Sequence, residues 1–407
     1  MVKRVLMIAY HYPPLLGGSG MQRTLAFTRY LPREGWEPIV LSVTPNAYPA
    51  RESSADTPAH RSYALDTARH LALRGRYPAL LAQPDRWISW WFSAVPAGLR
   101  LIRRYRPQVI WSSYPIATAH LVGLTLHRLS GLPWIADQRD PMLDHDYPPD
   151  LRRHRIHRWI EQQAMQRGAA VVCTTPGAVS ALRARHACGR VELIGNGYDE
   201  ASFIAAEIVA APARLPGGPF RLLHSGVIYP SERDPRALFS ALRQLRSGGV
   251  LRAGNFRLVL RATGHDDYLR TLLDGLEDIV ELAPPLPYRE GLAEMMAADG
   301  LLLLQAANCN HQIPAKMYEY LRAHRPLLAL THPDGDTAWA LRRAGIDTIA
   351  RLDQAADIAA ALIEFLHLCR TRQAPLAVPD ATAAHSRAAR TRELALLLDQ
   401  VHRKESA

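Results

Sequence analysis

Lysine is almost absent from this 407-residue chain, although the chain is strongly basic. All but three of its 49 lysine and arginine residues are arginine, and the three lysines are Lys3, Lys316 and Lys404. A bias of this strength indicates genome composition rather than chemistry. It leaves Lys316 as the only lysine in the interior of the sequence.

Cysteine and long apolar runs are scarce as well. The four cysteines are scattered, with no C-x-x-C pair and no ligand spacing with histidine, so we expect free thiols in a reducing cytosol. The longest apolar stretch, residues 87–99, lies between two arginines and contains Pro96. A membrane-spanning helix needs about 20 apolar residues. The apolar run at the N-terminus is too short for a signal peptide and predicts a first strand. These features predict a cytoplasmic protein.

The composition that remains is that of a packed protein. Hydrophobic residues make up 48% of the chain, enough for two or three domains of about 100–200 residues each. Disordered and collagen-like proteins are excluded. The net charge of +11 suits an acidic partner. However, the arginines are dispersed and no nucleic-acid-binding motif is present, so nucleic acid is not an expected partner.

Short apolar runs alternate with amphipathic segments of helical length, which predicts an α/β fold with doubly wound parallel sheets. The alternation occurs twice, so we predict two Rossmann-like domains, 1–200 and 220–380, facing a central cleft. A linker is expected over 201–219, and a helix over 381–407 that packs back toward the first domain. The predicted strands are 5–10, 38–43, 109–113, 134–138, 170–175 and 191–195, then 220–226, 256–264, 279–285, 300–306, 326–331 and 347–352.

The loop after the first strand is rich in glycine and leads into a helix. Its sequence, HYPPLLGGSGMQR over residues 11–23, gives the backbone room to approach a phosphate at a helix N-terminus. It is not a dinucleotide-binding fingerprint, because Arg23 stands where the last glycine belongs and no acidic residue follows the second strand. Taken alone, a plain loop is an equally good interpretation.

A second segment, HQIPAKMYEYLRAHRPLLAL over residues 311–330, combines a helix start with charged residues. Pro314 suits the first helical position, which predicts a helix from there to about residue 323. Lys316 would then lie in the first turn and Glu319 one turn later. An ammonium at a helix N-terminus suits a diphosphate, and a nearby carboxylate suits a ribose diol. A solvated Lys–Glu pair is the alternative.

Five segments resemble, in chain order, the motifs of glycosyltransferase family 4. They are YPPLLGGSGMQR (12–23), PWIADQRDP (133–141), IGNGYD (194–199), LLHSGVIYPSERDPRALFSAL (222–242) and IPAKMYEYLRAHRPLLAL (313–330). The resemblance implies the GT-B fold, with an acceptor-side first domain and a second domain that binds the donor. It also implies a retaining transferase that uses a nucleotide-diphosphate sugar, needs no metal or other cofactor, and serves surface-polysaccharide or glycoconjugate synthesis.

The resemblance assigns the donor diphosphate to two groups of residues. Gly17, Gly18 and Gly20 would give it room and backbone N–H groups from the first domain. Arg233 and Lys316 would contact it from the second domain and act in catalysis. The glycine–arginine pair that the family commonly has after the strand at 220–226 is absent here, so Arg233 carries more of the phosphate argument.

The same resemblance assigns the ribose and the transferred sugar. Glu319 matches the second glutamate of the family's Glu–seven residues–Glu motif, which holds the ribose hydroxyls, and Ile313 and Pro314 would lie beside the donor. His311 stands where the first glutamate is expected, near the sugar ring. A neutral imidazole can still hydrogen-bond a sugar hydroxyl, so His311 is included among the catalytic residues.

Two carboxylates of the first domain complete the implied catalytic set. Asp137 and Asp140 would lie at the end of a strand, beside the transferred sugar and the acceptor hydroxyl. A charge network with Arg139 that merely fixes a loop is the alternative. The tripeptide 144–146, Asp-His-Asp, is too loose a pattern to predict a metal site.

The basic surplus has two interpretations. In the first, an aromatic and cationic face for an anionic membrane is formed by the tryptophans at 87, 90 and 91, Phe92 and nearby arginines. In the second, the tryptophans belong to the core and the arginines form a solvated surface. The sequence therefore predicts a glycosyltransferase with a nucleotide-sugar donor and a sugar, lipid-linked or small-molecule hydroxyl acceptor. A nucleotide-sugar 2-epimerase of the same fold and a non-catalytic nucleotide-sugar-binding protein are the alternatives.

Overall fold

The computed structural model describes residues 2–15, 19–48, 58–74, 76–144, 147–209 and 217–406. These residues divide into two compact units. The first unit is Met1–Asn196 with Arg387–Ala407, and the second is Gly197–Ser386.

The first unit is built on one parallel sheet. Its described strands are β1 (Lys3–Ile8), β2 (Trp36–Val43), β3 (His60–Ser62), β4 (Val109–Ser113), β5 (Trp134–Gln138), β6 (Ala170–Cys173) and β7 (Val191–Leu193). They pair in the order β3-β2-β1-β4-β5-β6-β7. Since β1 lies centrally with β2 on one side and β4 on the other, the winding reverses direction at β1, as in a Rossmann fold.

Helices cover the faces of this sheet. They are α1 (Ser19–Tyr30), α2 (Thr67–His70), α3 (Trp90–Tyr105), α4 (Ala117–Ser130), α5 (Leu151–Arg167) and α6 (Pro176–Arg185). Parallel strands covered on both faces are apolar throughout, which explains the continuous runs that identify them in the sequence. Trp36, Trp111 and Trp134 are fully buried in the resulting cores.

The second unit repeats the plan with six described strands. Its elements are α7 (Glu200–Glu207), β8 (Phe220–Ser225), α8 (Arg236–Ser247), β9 (Phe256–Arg261), α9 (Asp266–Arg270), β10 (Val280–Ala283), α10 (Tyr288–Ala297), β11 (Gly300–Leu304), α11 (Ala315–Ala323), β12 (Leu327–Leu330), α12 (Asp336–Arg343), β13 (Ile349–Ala350), α13 (Ala355–Arg370) and α14 (Pro379–Ala383). The parallel strand order is β10-β9-β8-β11-β12-β13, so the reversal occurs between β8 and β11. The predicted fold class, two Rossmann-like parallel-sheet domains, is confirmed.

The predicted linker over 201–219 is wrong in its first part. Residues 200–207 form α7, whose N-terminus is capped by the Asp199 side chain. Phe203 is fully buried, and Arg322 of α11 makes a two-point ion pair with Glu200 at 2.6 and 2.8 Å. A small apolar face and a charge partner far along the chain therefore hold this Ala-rich segment as a helix in the second unit. Residues 210–216 lie outside the described part of the chain.

The last helix, α15 (Arg387–Ser406), belongs to the first unit. Leu394, Leu398 and Val401 are buried in a core shared with Trp36 and Trp111. Asp399 accepts hydrogen bonds from Lys3 at 2.5 Å and from the Trp36 indole at 2.9 Å. An apolar stripe and one carboxylate thus attach the end of the chain to the sheet of its beginning.

Of the two interpretations of the aromatic segment, the structure favours the core for its tryptophans. Trp90 is fully buried at the start of α3, and Trp91 of α3 and Trp87 of the preceding turn pack against the same core. Phe92, one position on, is 70% exposed. Among the helices described, none is both long and apolar enough to cross a bilayer.

Candidate functional site

The most distinctive chemistry of the second unit lies at the carboxyl end of β8. A Cβ atom at Gly226 would lie 1.9 Å from Cε and 2.7 Å from Nζ of Lys316. Gly226 also has a φ of +135°, a conformation that residues with a side chain rarely adopt. The lysine side chain of α11 therefore crosses the bare backbone of Gly226, and only glycine leaves room for it.

The Lys316 ammonium lies in a partly buried environment with a second cation, Arg233, close by. Burial lowers the pKa of Lys316, the nearby charge of Arg233 lowers it further, and Glu319 opposes both effects. No residue in the described part of the chain forms a hydrogen bond or an ion pair with this ammonium group. It lies in the first turn of α11, where the helix dipole adds positive potential. An anionic ligand would relieve the cost of keeping this charge partly buried.

Arg233 is held near Lys316 by its own loop. Its guanidinium donates to the carbonyl oxygen of Val227 and lies over the ring of Tyr229, 5.7 Å from the centroid. Its backbone N–H donates to the Tyr229 carbonyl at 2.8 Å. The second cation is thus fixed by a tight turn rather than extended into solvent.

Glu319 lies one turn beyond Lys316 on α11. Its carboxylate accepts a hydrogen bond from the Tyr288 hydroxyl at 2.8 Å, at the start of α10. Both groups are partly exposed, so the second carboxylate oxygen can accept from the hydroxyls of a ligand. Sequence reasoning missed Tyr288, because nothing local connects it to a residue 31 positions away.

Two further side chains missed by the sequence analysis stiffen the end of β8. The buried Tyr320 hydroxyl accepts from the backbone N–H of Ser225 at 2.9 Å. His224 shares a hydrogen bond with the Leu302 carbonyl through Nδ1, at 2.9 Å. Burial lowers the pKa of His224 to about 3, assisted by the charges of Lys316 and Arg233. The available signal was a histidine directly after the apolar residues of β8.

The loop before α11 is tied down by Gln305. Its buried side-chain amide donates to the carbonyls of Cys309 at 2.9 Å and Gln312 at 2.8 Å. The helix begins at Ala315 with Pro314 immediately before it, so the helix start predicted at Pro314 is correct to one residue. Ile313 is buried, whereas the His311 side chain is exposed.

In the first unit, Asp137 is wholly committed to an ion pair. It is fully buried, and Arg23 donates to both carboxylate oxygens, at 2.9 and 3.0 Å. The same guanidinium also donates to the carbonyls of Ile194 at 2.9 Å and Gly195 at 2.7 Å. This geometry favours the structural alternative for Asp137, because both buried oxygens already accept hydrogen bonds from Arg23.

Asp140 occupies a different environment. Its carboxylate is 43% exposed and accepts from Arg139 at 2.8 Å. The carbonyl of Arg139 accepts from the Thr174 hydroxyl at 2.8 Å, which fixes the turn after β5. His11, after β1, has its pKa lowered to about 4 by burial and by the charge of Arg139. Asp140, unlike Asp137, remains accessible to a ligand.

Some of the predicted site residues lie in or next to segments that the structure does not describe. Gly17 and Gly18 are outside the described residues, and Gly20 lies in the first turn of α1. In the 144–146 tripeptide, only Asp144 is described. Within the described residues, no group of three or more histidine, cysteine or acidic side chains could hold a metal ion.

Comparisons with known proteins agree with this architecture. Residues 18–197 match the family described as glycosyl transferase 4-like domain. No curated protein sequence matches significantly.

Solved structures resemble the whole chain. The sucrose-phosphate synthase of Thermosynechococcus elongatus has a TM-score of 0.62 at 15% identity, covering 99% of this chain and 97% of that one. The trehalose 6-phosphate synthase of Burkholderia multivorans has a TM-score of 0.67 at 13% identity, with 98% and 99% covered. Anabaena HepE, solved with UDP and glucose, has a TM-score of 0.58 at 13% identity, with 99% and 98% covered.

The family resemblance found in the sequence is thereby confirmed, and with it the fold that the resemblance implied. Residues 18–197 of this chain are thus a glycosyl transferase 4-like domain, and the chain has the GT-B fold.

Proposed function

We propose that this protein transfers a sugar from a nucleotide-diphosphate donor to a hydroxyl acceptor, with retention of configuration and without a metal ion. This proposal rests on the Lys316 ammonium, which is partly buried at the start of α11 and close to Arg233. No carboxylate among the described residues is bonded to it. The UDP and UDP-glucose complexes of Anabaena HepE support a nucleotide-sugar donor. We propose a role in polysaccharide or glycoconjugate synthesis.

In this proposal the second unit stabilises the leaving group. Negative charge builds on the diphosphate as its bond to the sugar breaks, and two cations with a helix N-terminus offset that charge. Glu319 holds the ribose hydroxyls. Asp140, exposed and paired with Arg139, is the better of the two predicted carboxylates to contact the acceptor. His311 remains a candidate contact for the donor sugar.

Calorimetric binding of UDP and of uridine tests the phosphate role. We expect Lys316→Ala to weaken UDP binding about tenfold to a hundredfold and to leave uridine nearly unchanged, because hydrogen bonds to charged groups contribute about 1.5–3 kcal/mol. Glu319→Ala should weaken both ligands alike. Lys404→Ala, at an exposed lysine of α15, is the matched control. Equal losses of UDP and uridine in Lys316→Ala would contradict the phosphate role.

Turnover separates the proposed transferase from its alternatives. Radiolabelled nucleotide sugars are incubated with the protein, with and without lipid-extract acceptors. A transferase gives labelled product that depends on the acceptor. A 2-epimerase releases nucleotide and rearranged sugar without any acceptor. Binding without turnover across the whole panel would instead indicate a nucleotide-sugar-binding protein.

We also propose a cytoplasmic location with peripheral contact to an anionic membrane. The supporting surface is formed by residues 67–74 and 76–84, which contain three arginines and no acidic residue. Leu73 and Leu80 in it are 81% and 78% exposed. Exposed apolar side chains beside arginines favour an anionic lipid interface.

Vesicle co-sedimentation tests this membrane contact. Binding to phosphatidylglycerol-containing vesicles, but not to pure phosphatidylcholine, is the expected result. Leu73→Glu with Leu80→Glu should abolish it, whereas Leu151→Glu, at a leucine of α5 that is 75% exposed, should not. Equal binding by the double variant would refute the assignment to this segment.

A further inference from the structure

A cavity of about 370 Å³ opens in the second unit, at the carboxyl ends of its strands. Its walls come from the start of α8, the loop after β11, and the segments that follow β12 and β13. Lys316, Arg233 and Glu319 are not part of these walls. The polar lining includes Asp234, Arg236, His332, Arg351 and Asp353.

Two arginine–aspartate pairs dominate the charge of this cavity. Arg236 donates through Nε to the Asp234 carboxylate at 2.8 Å, and Arg351 donates to both oxygens of Asp353 at 2.9 and 3.0 Å. Hydrogen bonds from the arginines lower the pKa values of Asp234 and Asp353, so both carboxylates are ionised at neutral pH. The two pairs together carry no net charge.

This charge pattern selects among ligand classes. An anion would lie beside two carboxylates, and a cation would lie beside two guanidinium groups. A neutral ligand with several hydroxyls can donate to the carboxylates and accept from the free guanidinium N–H groups. The apolar walls of Ala237, Ala306 and Leu352 suit the C–H face of a sugar ring.

We propose that this cavity binds a neutral saccharide of one or two rings, at a site separate from that of Lys316, Arg233 and Glu319. Its volume lies at the lower end of the range of roughly 300–1,000 Å³ that is typical of small-molecule sites. His332 contributes a further donor or acceptor, since its Nδ1 accepts from the Asp334 backbone N–H at 3.3 Å and its Nε2 is directed away from that bond.

The floor of the cavity is fixed by hydrogen bonds between two loops. The backbone N–H of Ala306 donates to the Glu232 carbonyl at 2.8 Å, and the Asn308 amide donates to the Ser231 carbonyl at 3.0 Å. These bonds hold the loop after β8 against the loop after β11, where Ala306 lines the cavity.

The test is saturation-transfer NMR and calorimetry on the full chain with a panel of neutral mono- and disaccharides, and with inorganic phosphate as the anion probe. We expect at least one saccharide to bind. Arg351→Gln and Asp353→Asn should each weaken it about tenfold or more, since each removes a charged hydrogen-bonding partner. Arg270→Gln and Asp267→Asn, at an exposed pair 2.7 Å apart outside the cavity, are the matched controls and should bind normally.

Three results would overturn the proposal. They are the absence of binding by any saccharide of the panel, binding that the cavity variants leave unchanged, and binding of phosphate in place of saccharides. The variants are expected to fold, because exposed ion pairs contribute little to stability.

Binding is read without turnover, so the proposal does not rest on the proposed transferase activity. Saturating UDP should leave saccharide binding intact, and displacement by UDP would assign the saccharide to the donor site instead. Failure of UDP to bind, with saccharide binding retained, would count against the transferase proposal alone.

Discussion

At the scale of single residues, the contact between Gly226 and Lys316 gives a sharp prediction. Gly226→Ala would place a methyl group 1.9 Å from Cε of Lys316, so the lysine must leave its position. We expect a loss of UDP affinity similar to that of Lys316→Ala, measured by calorimetry. The variant should also lose about 1–3 kcal/mol of stability, because a φ of +135° is strained for alanine.

Gly249→Ala is the matched control for this variant. Gly249 also has a positive φ, +74°, but nothing lies within 4 Å of its added Cβ. It should lose stability without losing UDP affinity. Unchanged UDP affinity in Gly226→Ala would show that the Lys316 contact is not needed for binding.

Asp137 gives the second residue-scale prediction. Asp137→Ala leaves the buried Arg23 guanidinium without its carboxylate, and breaking a buried pair costs about 3–5 kcal/mol. We therefore expect a large decrease in thermal stability. Asp267→Ala, in an exposed pair, should cost less than about 1 kcal/mol. A stable but inactive Asp137→Ala protein would restore the catalytic interpretation of this residue.

At the scale of elements, α15 ties the end of the chain to the first unit through its apolar stripe. Leu398 is fully buried on this helix, whereas Leu396 is 56% exposed. Leu398→Ala should cost about 2–5 kcal/mol in unfolding free energy, and Leu396→Ala should change it little. Urea unfolding followed by tryptophan fluorescence measures both, since Trp36 packs in the same core. Similar small losses in the two variants would mean that α15 adds little to this core.

Elements differ in how far their sequence predicts them. The strands of both sheets are buried on two faces, so continuous apolar runs reveal them. Strand β3 was not predicted, because its three residues, His60–Ser62, are too few to show an apolar pattern. Helix α7 lies where the sequence predicts a linker, since its alanines and single buried phenylalanine do not reveal that Arg322 lies nearby.

At the scale of the whole molecule, buried histidines predict an acid sensitivity. Burial lowers the pKa of His120 and of His224 to about 3 each, and that of His11 to about 4, from an ordinary value of 6.5. Below pH 6.5 the unfolded chain binds protons that the folded chain does not. Stability should therefore fall as the pH decreases from 6.5, by up to about 1.4 kcal/mol per pH unit for each histidine.

Urea unfolding between pH 7.5 and pH 5 measures this slope. His120→Asn and His224→Asn should each flatten it, whatever they do to stability at neutral pH. His367→Asn, at an exposed histidine, should not. A slope that none of the buried-site variants changes would contradict the histidine origin of the effect.

The sequence alone determined the two Rossmann-like sheets, the helix that starts beside Pro314, and the resemblance to glycosyltransferase family 4, because these depend on local apolar patterns and contiguous motifs. Only the tertiary structure decided that Arg23 holds Asp137, 114 residues away, that Gly226 makes room for Lys316, and that the tryptophans at 87, 90 and 91 face the core. Each of these contacts depends on which side chains the fold brings within a few ångströms of one another. Burial and ion pairing then determine whether a charged side chain is structural or can bind a ligand.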